Sequence, residues 1–154
     1  MKAKTIIVLF VALAMIGWTA GVTAKDLVER PLRLQLSITE TVSLVTGYGE
    51  TQGWGECAHL GRFQLRAEGF VDWITGDSFG SGIITAANGD QVFFESTQSG
   101  GAYIITFTGG TGRFHGVTGT VIPTLTSIPV ITVDLATMTV TITSTSMAVG
   151  TITY

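Results

Sequence analysis

The chain has 154 residues, enough for one domain with a hydrophobic core, and its formal net charge is −3 at pH 7. An acidic chain with 8 Lys and Arg residues, none of them clustered, lacks the basic surface that nucleic acids and anionic lipids require, so we expect no nucleic-acid partner. Cys57 is the single cysteine, which excludes an intramolecular disulfide and leaves stability to the core.

The first 24 residues are predicted to be a signal peptide. Lys2 and Lys4 precede an apolar run of the length of a signal-peptide core, and residues 22–24 (VTA) form a small-residue cleavage site. We expect cleavage after Ala24, membrane contact only through this segment before cleavage, and a secreted or periplasmic mature domain of residues 25–154. An uncleaved anchor is the less favoured alternative, because the run is short for a spanning helix.

The mature chain is rich in threonine, glycine and β-branched residues, a composition typical of strands. Residues 32–45 begin with apolar side chains at every second position from Leu32 to Ile38, which predicts a strand. Residues 48–55 (YGETQGWG) are predicted to be a loop. Residues 56–73 predict one long strand or two, bent at an internal glycine.

The clearest local signal is Asn88-Gly89 between two apolar runs. A type I′ turn needs φ > 0 at both central positions, which Asn-Gly tolerates best, so a two-residue hairpin turn is predicted. Further strands are predicted at residues 102–108, 119–128, 129–135, 139–145 and 149–154, with Pro123 at an edge or a bulge. Eight to nine strands without a predicted helix indicate an all-β sandwich or closed barrel, and an eight-stranded barrel holds a packed core or one small ligand.

Residues 107–119 (FTGGTGRFHGVTG) contain five glycines around Arg113, Phe114 and His115. A phosphate-binding loop would need a lysine and a following helix, whereas the residues that follow here are typical of a strand. We therefore interpret the segment as a tight corner of a barrel, with glycines at positive φ. Phe114 is expected to point inward while its two neighbours point outward.

The segment GGTGRFHGVTG resembles the Gly-Gly-Ser/Thr-Gly-x-Phe-x-Gly-x-x-Gly motif of the allene oxide cyclase and dirigent superfamily. Residues 58–63, 86–90, 133–137 and 150–154 resemble recurrent segments of exported bacterial proteins with the same barrel. The resemblance implies an eight-stranded antiparallel β-barrel, calycin-like, with an interior for an apolar molecule, and often a homotrimer. Allene oxide cyclases close a fatty-acid-derived epoxide and dirigent proteins steer phenolic radicals, but their catalytic residues match no position of this chain, so neither activity is implied.

Four residues are candidate catalytic groups. Strand alternation would place Cys57 and His59 on one face, as a thiolate beside an imidazole; the favoured alternative is a buried cysteine beside a histidine that caps backbone groups. Glu95 faces the interior if Phe93 does, and faces solvent if Phe94 is the inward residue. The solvated position is favoured for Glu95, because an unpaired buried carboxylate is costly. The fourth candidate is Tyr103, which is described below with the interior aromatic residues.

The predicted interior is aromatic. Tyr103 should share one face with Ile105 and Phe107, and candidate ligand-binding residues are Tyr103, Phe107, Phe114 and Phe63. Trp54 and Trp73 are placed near strand ends, as rim residues of a mouth or simply as exposed or packed aromatics. The sequence holds no metal-ligand spacing, Ser–His–Asp motif or cofactor motif.

The leading functional hypothesis is therefore an exported barrel that binds a small hydrophobic molecule in its interior. The alternatives are an isomerase or cyclase that uses the same cavity, with Glu95, Tyr103 or Cys57 as polar groups, and a solid-cored structural or surface protein. An outer-membrane barrel is least favoured, because many strand positions that face away from large residues are Thr, Ser, Gln or Glu.

Overall fold

A computed structural model describes residues 28–154, so the predicted signal peptide, residues 1–24, lies outside the described part. The strands are β1 (Glu29–Ser43), β2 (Tyr48–Cys57), β3 (Gly61–Val71), β4 (Ser78–Ala86), β5 (Gln91–Ser99), β6 (Ala102–Gly110), β7 (Thr118–Leu125), β8 (Val130–Asp134) and β9 (Thr139–Thr153). A 3-10 turn, Gly112–Phe114, precedes β7. Within residues 28–154, no helix has the length and apolar character needed to span a membrane.

Eight of the strands form a closed antiparallel barrel, as the sequence predicts. The ring runs β1-β2-β3-β4-β5-β6-β7-β9 and closes through the β1–β9 pair, while β8 pairs with β9 outside the ring. A path from Leu32 through successive cross-strand partners returns to β1 at Val42, ten residues further along, after passing Gly150, Val121, Ile105, Ser96, Gly80, Gly69 and Gly49. This stagger tilts the strands by about 40° from the barrel axis.

One end of the barrel, here named the closed end, carries the β2–β3, β4–β5 and β6–β7 connections, because antiparallel neighbours are joined at alternate ends. Leu60, Phe114 and Val117 lie in these connections, are almost completely buried, and pack on the inward side chains of the strands. Gly55 and Gly82 lie in the wall, where an added Cβ would stand 2.5 Å from the rings of Phe63 and Phe94 respectively. Aromatic rings therefore occupy the space that these glycines leave.

The glycine-rich segment forms the corner between β6 and β7. Gly112 and Gly116 have φ of +55° and +75°, a region that favours glycine. The Asp90 carboxylate, from the β4–β5 connection, accepts a hydrogen bond from the Arg113 backbone N–H at 3.3 Å and lies 3.7 Å from its guanidinium. Two neighbouring connections are thus joined across the closed end.

Three local predictions were wrong. Residues 48–55 belong to β2 rather than to a loop, because the inward positions of this strand are mostly glycines, which carry no hydrophobic pattern. Residues 139–145 and 149–154 are not separate strands, since β9 runs unbroken through both segments to Thr153. In the hairpin before β5, only Gly89 has a positive φ and its N–H bonds to the Ala86 carbonyl at 2.9 Å, so the loop has three residues and no type I′ turn.

Candidate functional site

The opposite end of the barrel differs in chemistry and is here named the polar end. It carries the β1–β2, β3–β4 and β5–β6 connections, and its inward side chains include Glu40, Ser96, Tyr103 and Ser144. Glu40 and Tyr103 are half-buried, whereas Ser96 and Ser144 are buried. The interior thus changes from large apolar rings at the closed end to hydroxyl and carboxyl groups at the polar end.

Glu40 faces the interior because it continues the alternation of β1, two residues beyond Ile38. Its cross-strand partners are Thr51 on β2 and Ile142 on β9. Burial raises the pKa of the Glu40 carboxyl, since a charged group loses hydration inside the barrel. All the arginines of residues 28–154 are solvent-exposed, so none of these guanidinium groups offsets that cost from within the barrel.

Tyr103 brings a phenol to the same cluster. Burial is the largest influence on its pKa and raises it; a side-chain hydrogen bond with Ser96 acts in the lowering direction, and the charge of Glu40 raises it further. The phenol therefore stays neutral at physiological pH and remains a hydrogen-bond donor. Three strands, β1, β5 and β6, together assemble a carboxyl, a hydroxyl and a phenol.

An apolar rim flanks this cluster. Cross-strand partners share a face of a sheet, so Ile131 and Val133 on β8 lie on the inward side with their β9 partners Ile142 and Val140. Ile131 and Val133 are 61% and 54% exposed. The β8–β9 hairpin thus extends the barrel wall on one side and presents apolar side chains beside the polar end.

The barrel wall is incomplete near this rim. The β6–β7 ladder pairs Phe107 with Gly119, and its last pair towards the polar end is Ile105 with Val121. Pro123, which has no backbone N–H, follows on β7 where that strand has only β9 as a partner. Tyr103 on β6 therefore lies beside a section of wall without a continuous ladder.

The predicted ligand-binding aromatics do not all reach the polar end. Phe63, Phe107 and Phe114 are buried in the core, close to the connections of the closed end, and Phe114 also meets the Tyr154 ring edge-on, with centroids 5.4 Å apart. Tyr103 alone of the four lies with the polar cluster. The other three fill the barrel and stabilise it by burial.

The predicted pairing of Cys57 with His59 on a strand face was wrong. β2 ends at Cys57, whose Sγ accepts the Leu60 backbone N–H at 3.3 Å, and His59 lies in the following turn, where strand alternation does not apply. His59 Nε2 donates to the Pro31 carbonyl at 3.1 Å, and its Nδ1 is 3.4 Å from the Tyr154 hydroxyl. Both residues lie at the closed end and have structural partners.

The remaining candidates lie on the outside or at the ends. Glu95 is exposed on the outer face of β5, because Phe94 takes the inward position. Trp54 lies on the outer face of β2, towards the end of that strand at Cys57, whereas Trp73 lies in the β3–β4 connection at the polar end. Sequence reasoning missed Glu40, although extending the alternation of Leu32 to Ile38 by one step would have placed it inside.

No protein-family model and no curated protein matches the chain in sequence. Within residues 28–154, no group of three or more His, Cys, Asp or Glu side chains is arranged to hold a metal ion. The class of protein therefore rests on the fold and the polar end: a small antiparallel β-barrel with one interior end lined by a carboxyl, a phenol and hydroxyls.

Proposed function

We propose that this protein is an exported barrel that binds a small, mostly apolar molecule carrying one uncharged polar group, at the polar end. The observation that supports this most directly is the cluster of Glu40, Tyr103 and Ser96 inside a mostly apolar barrel. Buried polar groups cost folding free energy unless they are satisfied, and sites that bind small molecules combine apolar walls with a few such groups.

The electrostatics of the cluster favour a neutral ligand group. An ionised Glu40 would repel a carboxylate or phosphate, and no guanidinium from the described chain faces it. A hydroxyl group, in contrast, is able to accept from the Tyr103 phenol and donate to the Glu40 carboxylate, and a carbonyl group is able to accept from the phenol. The apolar part of the ligand would lie towards Ile131 and Val133.

Family and assembly belong to the same proposal. Membership of the allene oxide cyclase and dirigent superfamily is supported by the segment 109–119, since it forms the corner between β6 and β7. Self-association, which the resemblance implies, would use the exposed strand β8, because it pairs on one side only and every residue in it is exposed.

A specific observation favours the enzyme as the second candidate. Glu40, with its raised pKa, lies near a neutral phenol, and a proton acceptor beside a proton donor is the arrangement that an isomerase or cyclase needs. In this case Glu40 takes the acid–base role for which the sequence offered Glu95 as a candidate, although a solvated position was favoured for Glu95.

The binding test uses the mature protein and the neutral fluorescent probe N-phenyl-1-naphthylamine, displaced by dodecanol, dodecanoate and dodecane. We expect dodecanol to displace the probe best. Tyr103→Phe should weaken dodecanol binding roughly five- to tenfold, the value of one net hydrogen bond, while the outer-face control Glu95→Gln leaves it unchanged. A protein that binds no probe, or in which Tyr103→Phe has no effect on dodecanol, would contradict the proposed site.

The second candidate function, an isomerase or cyclase, is tested separately by measuring turnover of unsaturated fatty epoxides and of phenolic radicals. Turnover that Glu40→Gln abolishes, while probe affinity persists, would support the acid–base role. Binding without turnover of either substrate class would favour the non-catalytic barrel.

A further inference from the structure

A row of outward-facing side chains crosses five strands of the barrel. The register places Thr145 on β9 opposite Ser37 on β1, Ser37 opposite Trp54 on β2, Trp54 opposite Gln64 on β3, and Gln64 opposite Thr85 on β4. Beside it runs a shorter row in which Gln35, Glu56 and Arg62 are successive partners. A groove of about 960 Å³ follows both rows, which together are here named the outer strip.

Trp54 is the exceptional residue of the outer strip. Its side chain is 67% exposed although the residue lies within a strand. The other outward strand residues that line the groove are hydroxyls, amides and one pair of opposite charges. The centre of a protein–protein interface is depleted in charges and enriched in several aromatic or apolar side chains, so this single indole among polar groups does not fit one.

The polar groups of the outer strip suit a neutral ligand that both donates and accepts hydrogen bonds. Gln35 and Gln64 each offer an amide N–H₂ and a carbonyl, and Ser37 and Thr85 offer hydroxyls. Glu56 and Arg62 are cross-strand partners, so their charges cancel locally. No basic excess is present to attract an anionic polymer.

We propose that the outer strip binds an extended, uncharged carbohydrate chain. A sugar ring has an apolar face of C–H groups that stacks on an exposed indole, and a margin of hydroxyls that pairs with amides and hydroxyls. Four interstrand spacings make the longer row about 19 Å long, the scale of an oligosaccharide rather than a single sugar. The regular spacing of a cross-strand row also matches a repeating polymer.

Two smaller grooves on the outer face do not offer the same chemistry. They measure about 530 and 410 Å³ and share Glu68 and Glu95, while the larger of them also includes Glu50. Acidic side chains outnumber basic ones in both grooves, the aromatic side chains there are Tyr and Phe, and Trp54 is absent. The carbohydrate proposal therefore concerns the outer strip, where opposite charges balance and the exposed indole lies.

The test relies on tryptophan fluorescence. In the Trp73→Phe variant of the mature domain, Trp54 is the only tryptophan of residues 25–154. We expect its emission to shift saturably with at least one of the neutral hexasaccharides maltohexaose, cellohexaose, chitohexaose, mannohexaose and xylohexaose. Heparin, an anionic polysaccharide, should neither bind nor compete.

Titration calorimetry with whichever hexasaccharide binds then measures how substitutions in the outer strip change the affinity. Trp54→Ala should lower affinity at least tenfold and Gln64→Ala several-fold, whereas the control Trp73→Ala leaves it unchanged. Trp54 is exposed, so its loss should not alter the circular dichroism or unfolding temperature. Glu40→Gln should leave saccharide binding intact, which separates this site from the polar end.

Three outcomes would overturn the proposal. One is that none of the five hexasaccharides binds at millimolar concentration; another is that Trp54→Ala binds as well as wild type. Preferential binding of heparin would also overturn it, because it would indicate a site driven by charge.

Discussion

The glycine corner provides the sharpest stability prediction. Substitutions of Gly112 and Gly116 separate the cost of backbone strain from the cost of a steric clash with Asp90. Both have positive φ, +55° and +75°, so a valine at either position should pay about 1–3 kcal/mol of backbone strain. At Gly116 an added Cβ meets nothing within 4 Å, whereas at Gly112 it collides with the Asp90 carboxylate. Gly112→Val must therefore also displace Asp90.

The displacement breaks the hydrogen bond from the Arg113 N–H and the 3.7 Å ion pair. These contacts are partly exposed, so we assign them about 1–2 kcal/mol together. Gly116→Val should cost about 1–3 kcal/mol and Gly112→Val about 2–5 kcal/mol, or roughly 3–5 °C of unfolding temperature per kcal/mol in a domain of this size.

Thermal and urea unfolding of the wild type and both variants, measured by circular dichroism, test this reasoning. Equal destabilisation in the two variants would show that the Asp90 contact contributes nothing to stability. Wild-type stability in Gly112→Val would show that the motif is not a structural corner.

Three further predictions concern the burial of Phe114, the pKa of Glu40 and the cleavage of the predicted signal peptide. Phe114→Ala should lower the free energy of unfolding by about 3–5 kcal/mol in urea titrations, whereas Phe79→Ala, on the outer face, should cost under about 1 kcal/mol. Burial raises the folded pKa of Glu40 above its usual value of 4.5, so the folded state binds more protons than the unfolded one between these two values. Stability is then lost as pH rises through that window, and Glu40→Gln should be more stable relative to wild type at pH 7 than at pH 4; equal differences at both pH values would refute the burial effect. Mass spectrometry of the exported protein should find Lys25 as the first residue, and a longer N-terminus would contradict the cleavage prediction.

Local patterns were sufficient where one strand or one corner carries its own signal. The alternation of Leu32, Leu34 and Leu36 marks the inner face of β1, because successive side chains of a strand point to opposite sides. The glycines of residues 109–119 mark a corner, because positive φ is a property of single residues. Both features depend on short stretches of chain, so they can be predicted from the sequence without knowledge of the fold.

Strand β2 could not be predicted from its own residues, since neighbouring strands determine which residues fit at its inward positions. Gly55 and Gly53 leave room for the Phe63 ring of β3 and for Ile38 of β1, and these neighbours exist only after the strands pair. The two-residue turn predicted at Asn88-Gly89 was wrong for a related reason. The length of the turn depends on the hydrogen bond from the Ala86 N–H to the Asp90 carbonyl, which closes the hairpin.

The polar end required the tertiary structure most. Alternation assigns Glu40, Ser96 and Tyr103 each to a side of its own strand, but not to a common height in the barrel. That height depends on the ten-residue stagger with which the ring closes, from Leu32 to Val42, and a stagger is a property of eight strands together. The sequence by itself determined that alternate side chains of each strand share a face, whereas the closure of the barrel decided that Glu40, Ser96 and Tyr103 meet inside it.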